Sequence, residues 1–481
     1  MSVVVVSNRV AGAKADEPVP GGLAAALIPM VSKSGATWVG FSGDADRVTD
    51  TRAGTQALGT GTTAIIAPPM EHYAGYYEGF ANSVLWPALH SRTDLINGAI
   101  DHYTSYREVN AFMARSLLRF DTSGAVFWIH DYHCLPLGAE MRRLGIARPI
   151  GFFLHTPWPD RSSMTAAPHH RELMQDMLAY DLVGFQTIED RRNFEEDMRH
   201  ELGVCVEDGT VASAWGGTRL VTSPVGIDVE EFATRAIAAI ERPDVQRLSA
   251  RLTGSKLVLG VDRLDYSKGL TNRFRAFDRM LEIEPELQRE VSLLQIAAPS
   301  RTGIRAYRDL KSDLDSLVEE INGRHRQPDW IPVRCLNEEF SQTTLAGLYR
   351  SAQVGLVTPF RDGMNLVAKE FVAAQRPDDP GVLVLSRYAG AAKELDAALL
   401  VDPHDVDDMT HQLVRALGMP LEERRERWLH MAAKLKGHSL QNWFSGFVGA
   451  LREARRSSSA RQDEAISVVA SAYLQPRIYR T

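Results

Sequence analysis

The run Val354-Gly355-Leu356-Val357-Thr358-Pro359-Phe360-Arg361-Asp362-Gly363-Met364-Asn365-Leu366-Val367-Ala368-Lys369-Glu370 carries a strand, a loop and a helix start in immediate succession. Val354 to Val357 is a short apolar stretch of the buried-strand type. Pro359 and Gly363 punctuate it, and Leu366, Val367, Phe371 and Val372 then recur with helical spacing. The loop between them holds Arg361, Asp362 and Asn365. A helix start offers free backbone N–H groups and the positive end of the dipole, which suits a phosphate. Glu370 lies one turn in, where a carboxylate can accept hydrogen bonds from a pair of ribose hydroxyls. Plain capped helices make similar junctions throughout α/β proteins, so the meaning of this one depends on what stands at the other strand ends.

Outward from this run, strand-like and helical patterns alternate. Val3–Ser7, Ala125–His130, Pro149–His155, Leu182–Gln186, Leu220–Pro224, Leu257–Val261, Val291–Ala297, Val354–Pro359 and Val382–Ser386 read as strands. Tyr106–Phe120, His169–Leu178, Thr187–Leu202 and Leu270–Ile283 read as amphipathic helices. That alternation predicts parallel sheets with helices on both faces, with ligands at the carboxyl ends of the strands. A charged helical linker from Glu230 to Arg251 separates two such series. The expected architecture is therefore two Rossmann-like domains facing a cleft, residues 1–235 and 236–440. A segment 441–481 follows, whose helix (Gln441–Ala454) crosses back to the first domain and whose tail is mobile from Ser457 onward.

With 481 residues the chain is too long for one ordinary core. Its net charge of −7 gives no basic field for nucleic acid. No run approaches the roughly 18 apolar residues of a membrane span. Val3 to Val6 is too short for a signal-peptide core, so no leader is expected. Cys134, Cys205 and Cys335 lie far apart, forming neither a zinc-knuckle pattern nor a disulfide framework, which predicts a reducing cytoplasm.

Several strands end in polar residues. Ser7-Asn8-Arg9 ends the first, and Pro20-Gly21-Gly22 opens the following helix, where glycines let the backbone approach a ligand. Others are His130-Asp131-Tyr132-His133, the His155 tip of an apolar strand, Asp262-Arg263-Leu264-Asp265-Tyr266-Ser267-Lys268, and Pro299-Ser300-Arg301. Arg263 and Lys268 leaving one buried strand suit a diphosphate; a surface ion pair with Asp262 or Asp265 is the plainer reading. Arg9, Arg263, Lys268 and Arg301 give four cations at strand ends, which two phosphorylated ligands would explain. Asp131, His155, Asp362 and Glu370 supply hydrogen-bonding groups for sugar hydroxyls. Asp44-Ala45-Asp46 resembles a metal-binding Asp-x-Asp but lacks a second ligand nearby, and Asp405-Val406-Asp407-Asp408 fits the first turn of a helix better than a phosphatase nucleophile.

In family order, the segments SNR (7–9), GG (21–22), YYEGFANSVLWP (76–87), WIHDYH (128–133), GFFLHTPWP (151–159), YDLVGFQT (180–187), VGID (225–228), DRLDYSKG (262–269), APSR (298–301), INGR (321–324) and TPFRDGMNLVAKEFVAAQ (358–375) resemble the trehalose-6-phosphate synthases, retaining glycosyltransferases of the GT-B fold. The resemblance implies transfer of glucose from a nucleoside-diphosphate-glucose to glucose 6-phosphate. UDP-glucose is the expected donor, with GDP- and ADP-glucose as alternatives. It implies that Arg9, Tyr77, Asp131 and Arg301 hold the acceptor, and that Trp86 and Thr156 select its α-anomer. It further implies that Gly21, Gly22, Arg263, Lys268, Phe340, Leu366, Val367, Ala368, Lys369 and Glu370 hold the sugar nucleotide. Asp131, His155, Arg263, Lys268 and Asp362 would be the catalytic set, with no metal and no cofactor. Thr156 stands where the family usually has an aliphatic residue, and Trp158 also departs from the usual pattern. A homo-oligomer is expected. Two other readings stand beside this one: a related transferase with another acceptor, and a silent sugar-phosphate sensor. A dinucleotide oxidoreductase is disfavoured, because no Gly-x-Gly-x-x-Gly follows a strand.

Overall fold

The computed structural model describes residues 2–11, 21–42, 54–98, 100–250 and 256–474, with the side chains of 249–250 and 458–474 left out. Asp44 to Asp46, Pro20 and Arg251 lie outside the described residues.

Among the described residues, sixteen strands form two sheets. The first contains β1 (Val3–Arg9), β2 (Thr37–Phe41), β3 (Gly54–Leu58), β4 (Gly61–Ile65), β5 (Val126–His130), β6 (Ile150–Phe153), β7 (Leu182–Phe185), β8 (Val206–Glu207), β9 (Thr210–Val211) and β10 (Thr218–Thr222). Its order is β3-β4-β2-β1-β5-β6-β7-β10-β9-β8, parallel from β4 to β10 with an antiparallel strand or hairpin at each edge. The second contains β11 (Lys256–Arg263), β12 (Val291–Ala298), β13 (Val333–Leu336), β14 (Val354–Val357), β15 (Val382–Ser386) and β16 (Leu399–Val401). Its order is β13-β12-β11-β14-β15-β16, parallel throughout.

The central strands are apolar on consecutive residues because both faces are covered. In β1, Val3 and Val5 enter one apolar cluster while Val4 and Val6 enter another, the two-residue period of a strand split between two layers. The cluster holding Val3 and Val5 also contains Leu257, Leu259 and Phe371, so a continuous apolar layer joins the two halves.

Every strand expected from the sequence is present, within a few residues at its ends. Missed were β2, β3, β4, β13 and β16 and the two-residue strands β8 and β9. The linker is two helices, Val229–Ala239 and Pro243–Ala250. The final helix runs from Leu440 to Leu474, where the sequence reading began a tail at Ser457. It packs on β5, on β7 and on the helix Gly21–Ser34 of the first half. Gly184 of β7 makes room for it: a Cβ there would meet Phe447 at 2.6 Å. Trp443 donates its indole N–H to the Ser223 carbonyl at 3.1 Å, and Arg455 pairs with Asp181 at 3.3 Å.

Candidate functional site

Each sheet has one place where the strand order reverses. β1 lies between β2 and β5, and β11 lies between β12 and β14. Loops leaving the two central strands at such a point diverge and open a crevice. Arg9 closes β1 and Asp131 follows β5; Arg263 closes β11 and Asp362 follows β14.

On the first side the Arg9 guanidinium lies over the Tyr77 ring, 4.5 Å from its centroid. Tyr77 stacks in turn on Tyr73 and His133. Tyr77 belongs to a π-helix, Gly75–Leu85, that passes directly into the helix Trp86–Leu89. Such wide turns occur mostly as short insertions and frequently mark functional sites. Asp131 has φ 74°, a strained backbone for a non-glycine residue, and its carboxylate accepts the His155 N–H at 3.3 Å. Burial pushes this carboxyl up to about 6, with neighbouring backbone N–H groups and the Arg263 charge opposing the rise. Burial also drives His155 down to about 3, so its imidazole is neutral. Its Nε2 lies 3.0 Å from His130 Nδ1. Thr156 is buried, and its hydroxyl has no hydrogen-bond partner among the described residues.

On the second side the carboxylates have cationic partners. Lys268 Nζ contacts Asp362 Oδ2 at 2.5 Å, and Asn365 donates to the same oxygen at 3.0 Å. Although burial opposes it, these contacts hold Asp362 below the usual carboxylate range. Asp265 accepts from Arg301 at 2.7 Å and from the Tyr307 hydroxyl at 3.3 Å. Despite complete burial, the charges of Arg301 and Arg263 hold it well below the ordinary range. The plainer reading of Arg263 and Lys268, an ion pair with Asp262 or Asp265, does not hold. Asp262 pairs with the buried Arg273, and Arg263 has no ion pair or hydrogen bond among the described residues.

Trp86 joins the two sides. Arg301 lies 4.0 Å from its ring and Arg263 lies 5.3 Å from it, while its indole N–H donates to Asp265 at 3.4 Å. Arg301 also donates to the Tyr132 hydroxyl of the first half at 3.1 Å. Asp265 and Tyr132 thus belong to the site although the sequence reading assigned neither a role. The DRLDYSKG segment offered a signal for Asp265, but only as a surface partner.

The helix Leu366–Ala374 begins at Asn365, which has φ 77° and accepts the Ala368 N–H on its side chain at 3.1 Å. That uses one first-turn donor and leaves the N–H groups of Leu366 and Val367 without helical acceptors. Gly22 faces this turn: a Cβ there would lie 3.6 Å from Leu366. Gly363 sits closer still, where a Cβ would come within 2.0 Å of the His155 carbonyl oxygen, so only glycine permits the two halves to meet there. The Lys369 side chain turns into the protein interior. Its ammonium is buried against Glu394 and the Val225 carbonyl, both at 2.7 Å, because it is the cation that compensates Glu394. Burial pushes Glu370 up to about 7, opposed by the Tyr349 hydroxyl and Arg235. Phe340, like Leu366 and Val367, packs half-buried on the apolar cluster that joins the two halves. Asp405 caps its own helix by accepting the Asp408 N–H at 3.0 Å, as its sequence context required.

Among the described residues no three His, Cys, Asp or Glu side chains are grouped to hold a metal ion. No helix among them is long and apolar enough to cross a membrane. The three cysteines are unpaired.

Comparison with known proteins agrees with this arrangement. A trehalose-6-phosphate synthase of Enterobacter sp. (strain 638) is 42% identical over 451 residues, covering 94% of this chain and 95% of that protein. Among solved structures, a UDP-forming α,α-trehalose-phosphate synthase from Burkholderia xenovorans in complex with glucose-6-phosphate is 41% identical with a TM-score of 0.90, covering 94% of this chain and 100% of the other. A structure from E. coli bound with UDP-2-fluoro glucose is 38% identical with a TM-score of 0.85, covering 94% and 99%. The α/β architecture of two mainly parallel sheets facing a cleft is the GT-B fold of these neighbours. The glycosyltransferase family 20 model matches residues 6–453, a span that takes in both switch points and the first part of the returning helix, and the chain belongs to that family.

Proposed function

We propose that this chain is a retaining glucosyltransferase that moves glucose from UDP-glucose to glucose 6-phosphate, giving α,α-trehalose 6-phosphate and UDP. The observation that carries the reading is the pairing of switch points. An Arg9–Tyr77–Asp131 constellation on one side faces an Arg263–Lys268–Asp362 constellation on the other, with Trp86 and Arg301 between them.

In this reading Arg9 and Arg301 take the acceptor phosphate, Tyr77 and Asp131 its hydroxyls, and Trp86 with Thr156 shapes the anomeric end. The N–H groups of Leu366 and Val367 approach the diphosphate, and Glu370 accepts from the ribose. Gly21, Gly22 and Phe340 line the nucleotide. Lys369 and Ala368 contribute backbone only. Asp362 orients the donor sugar. The C1–phosphate bond breaks as the acceptor oxygen bonds to C1 on the same face, and the acceptor proton passes to the departing phosphate oxygen. Arg263, which forms no ion pair among the described residues, and Lys268 meet the charge that develops there. A closed cleft excludes water and limits donor hydrolysis.

The division at residues 1–235, 236–440 and 441–481, a cytoplasmic location and a homo-oligomeric state belong to the same proposal. Limited proteolysis and light scattering address the first and last. The decisive experiment mixes purified protein with glucose 6-phosphate and UDP-, GDP- or ADP-glucose and identifies the product by mass and NMR. A non-reducing α,α-linked disaccharide phosphate is expected, made fastest from UDP-glucose and unaffected by chelator. No product from any donor would overturn the reading.

A further inference from the structure

Gln186 follows directly on β7 and is 2% exposed. Its Oε1 accepts the Val225 N–H at 3.0 Å. A backbone N–H can only donate, so that contact fixes which end of the amide is oxygen. The other end, Nε2, therefore lies 3.4 Å from His155 Nδ1. An amide nitrogen can only donate, so Nδ1 of His155 must accept and carries no proton. A neutral imidazole then carries its proton on Nε2, which donates to His130 Nδ1 at 3.0 Å. The wire extends the other way as well. The Val225 carbonyl accepts the Lys369 ammonium from the helix Leu366–Ala374 of the second half.

We infer that Gln186 is a positioning residue, which fixes His155 as its Nε2–H tautomer and leaves the backbone carbonyl, not the ring, to face the cleft. Both ring nitrogens are committed, one to Gln186 and one to His130. The His155 carbonyl oxygen, in contrast, lies directly against Gly363 of the loop that carries Asp362. Through Val225 and Lys369 the placement of that carbonyl depends on how the donor helix sits against the first half. Its importance for turnover rests on the proposed function, whereas the tautomer does not.

Long-range ¹H–¹⁵N correlation spectra of the full chain with ¹⁵N-labelled histidine test the assignment, with the His155 signals identified by their loss in His155→Asn. The expected pattern is an unprotonated Nδ1 and a protonated Nε2. In Gln186→Glu the carboxylate cannot donate, so Nδ1 should take a proton and the pattern should change. Gln186→Met fills the space without a donor. Both variants should lower kcat by about 100-fold, as a misplaced reacting group does, with the KM for glucose 6-phosphate little changed. A proton on Nδ1 in the parent protein overturns the inference, as does an undiminished kcat in both variants. If the parent shows no transferase turnover, the tautomer still decides the relay, and only the proposed function fails.

Discussion

Burial shifts Asp131 and the histidines beside the β1/β5 switch point toward their neutral forms, while Asp362 and Asp265 beside the β11/β14 switch point are held in their charged form. Asp131 is raised to about 6 by burial, and burial lowers His155 to about 3 and His130 and His133 well below the usual imidazole range. Across the cleft, Asp265 is fully buried and Asp362 largely so, yet both are held below the carboxylate range, because Arg301 and Lys268 touch them. The difference lies in partners rather than depth. A surround of aromatic rings suits a sugar's hydroxyls, and a surround of matched charges suits a departing diphosphate. Two carboxyls on the second side rise as well: Asp262, where burial outweighs its Arg273 partner, and Glu370, which has no ion pair among the described residues and rises to about 7.

The comparison breaks most visibly if the charged side is dispensable. Arg263→Ala and Lys268→Ala should each lower kcat by about 100-fold or more, the scale of losing a preorganised charge-stabilising group, with the fold intact by circular dichroism. Near-normal turnover in both would remove the diphosphate assignment.

Arg301 tests the joint between the sides. Arg301→Ala leaves Asp265 buried without its partner and should cost about 3–5 kcal/mol of stability. The surviving activity should show a raised KM for glucose 6-phosphate. Adding Asp265→Asn should restore much of the stability but not the acceptor affinity; recovery of both would make Arg301 purely structural.

Opposite pH dependences sharpen the contrast. Asp131 is raised, so the stability it contributes is full below the ordinary carboxylate range and is lost as pH climbs through about 6. Asparagine there should abolish that slope, on the order of 2–3 kcal/mol. Asp265 is depressed, so its contribution is present above the ordinary range and lost as pH falls, and Asp265→Asn should flatten only the acid limb. Denaturant titrations at pH 3 to 8 read both; a shared slope would mean the two sites do not differ.

The smallest effect is expected at Thr156, whose buried hydroxyl lacks a partner among the described residues. Thr156→Val keeps the shape and should raise stability by about 1 kcal/mol. A loss of stability would show that the hydroxyl is satisfied after all.

Much of this was legible along the chain because strand, loop and helix signals are local. The run from Val354 to Glu370 announced its own strand and helix, and Arg9, Asp131, Arg263 and Asp362 are strand-end residues recognisable by position. β13 and β16 were not legible, since Val333-Arg334-Cys335-Leu336 is broken by an arginine and Leu399–Val401 is three residues long. Nor were the edge strand β3 and its neighbour β4, whose Gly-Thr starts carry no alternation. The π-helix that presents Tyr77 has no distinctive pattern, and its boundaries merge with helices on both sides.

By itself the sequence determined the alternation of strands and helices, the family motifs and the type of chemistry at each strand end, all properties of neighbouring residues. Only the tertiary structure decided which charges meet. Trp86 and Asp265 stand 179 positions apart and Tyr132 and Arg301 stand 169 apart, and strand order and packing bring them together. The same packing turned Lys369 inward to Glu394 and set Arg263 over the Trp86 ring with no ion pair among the described residues, because a buried charge goes to whichever compensating group the fold places beside it.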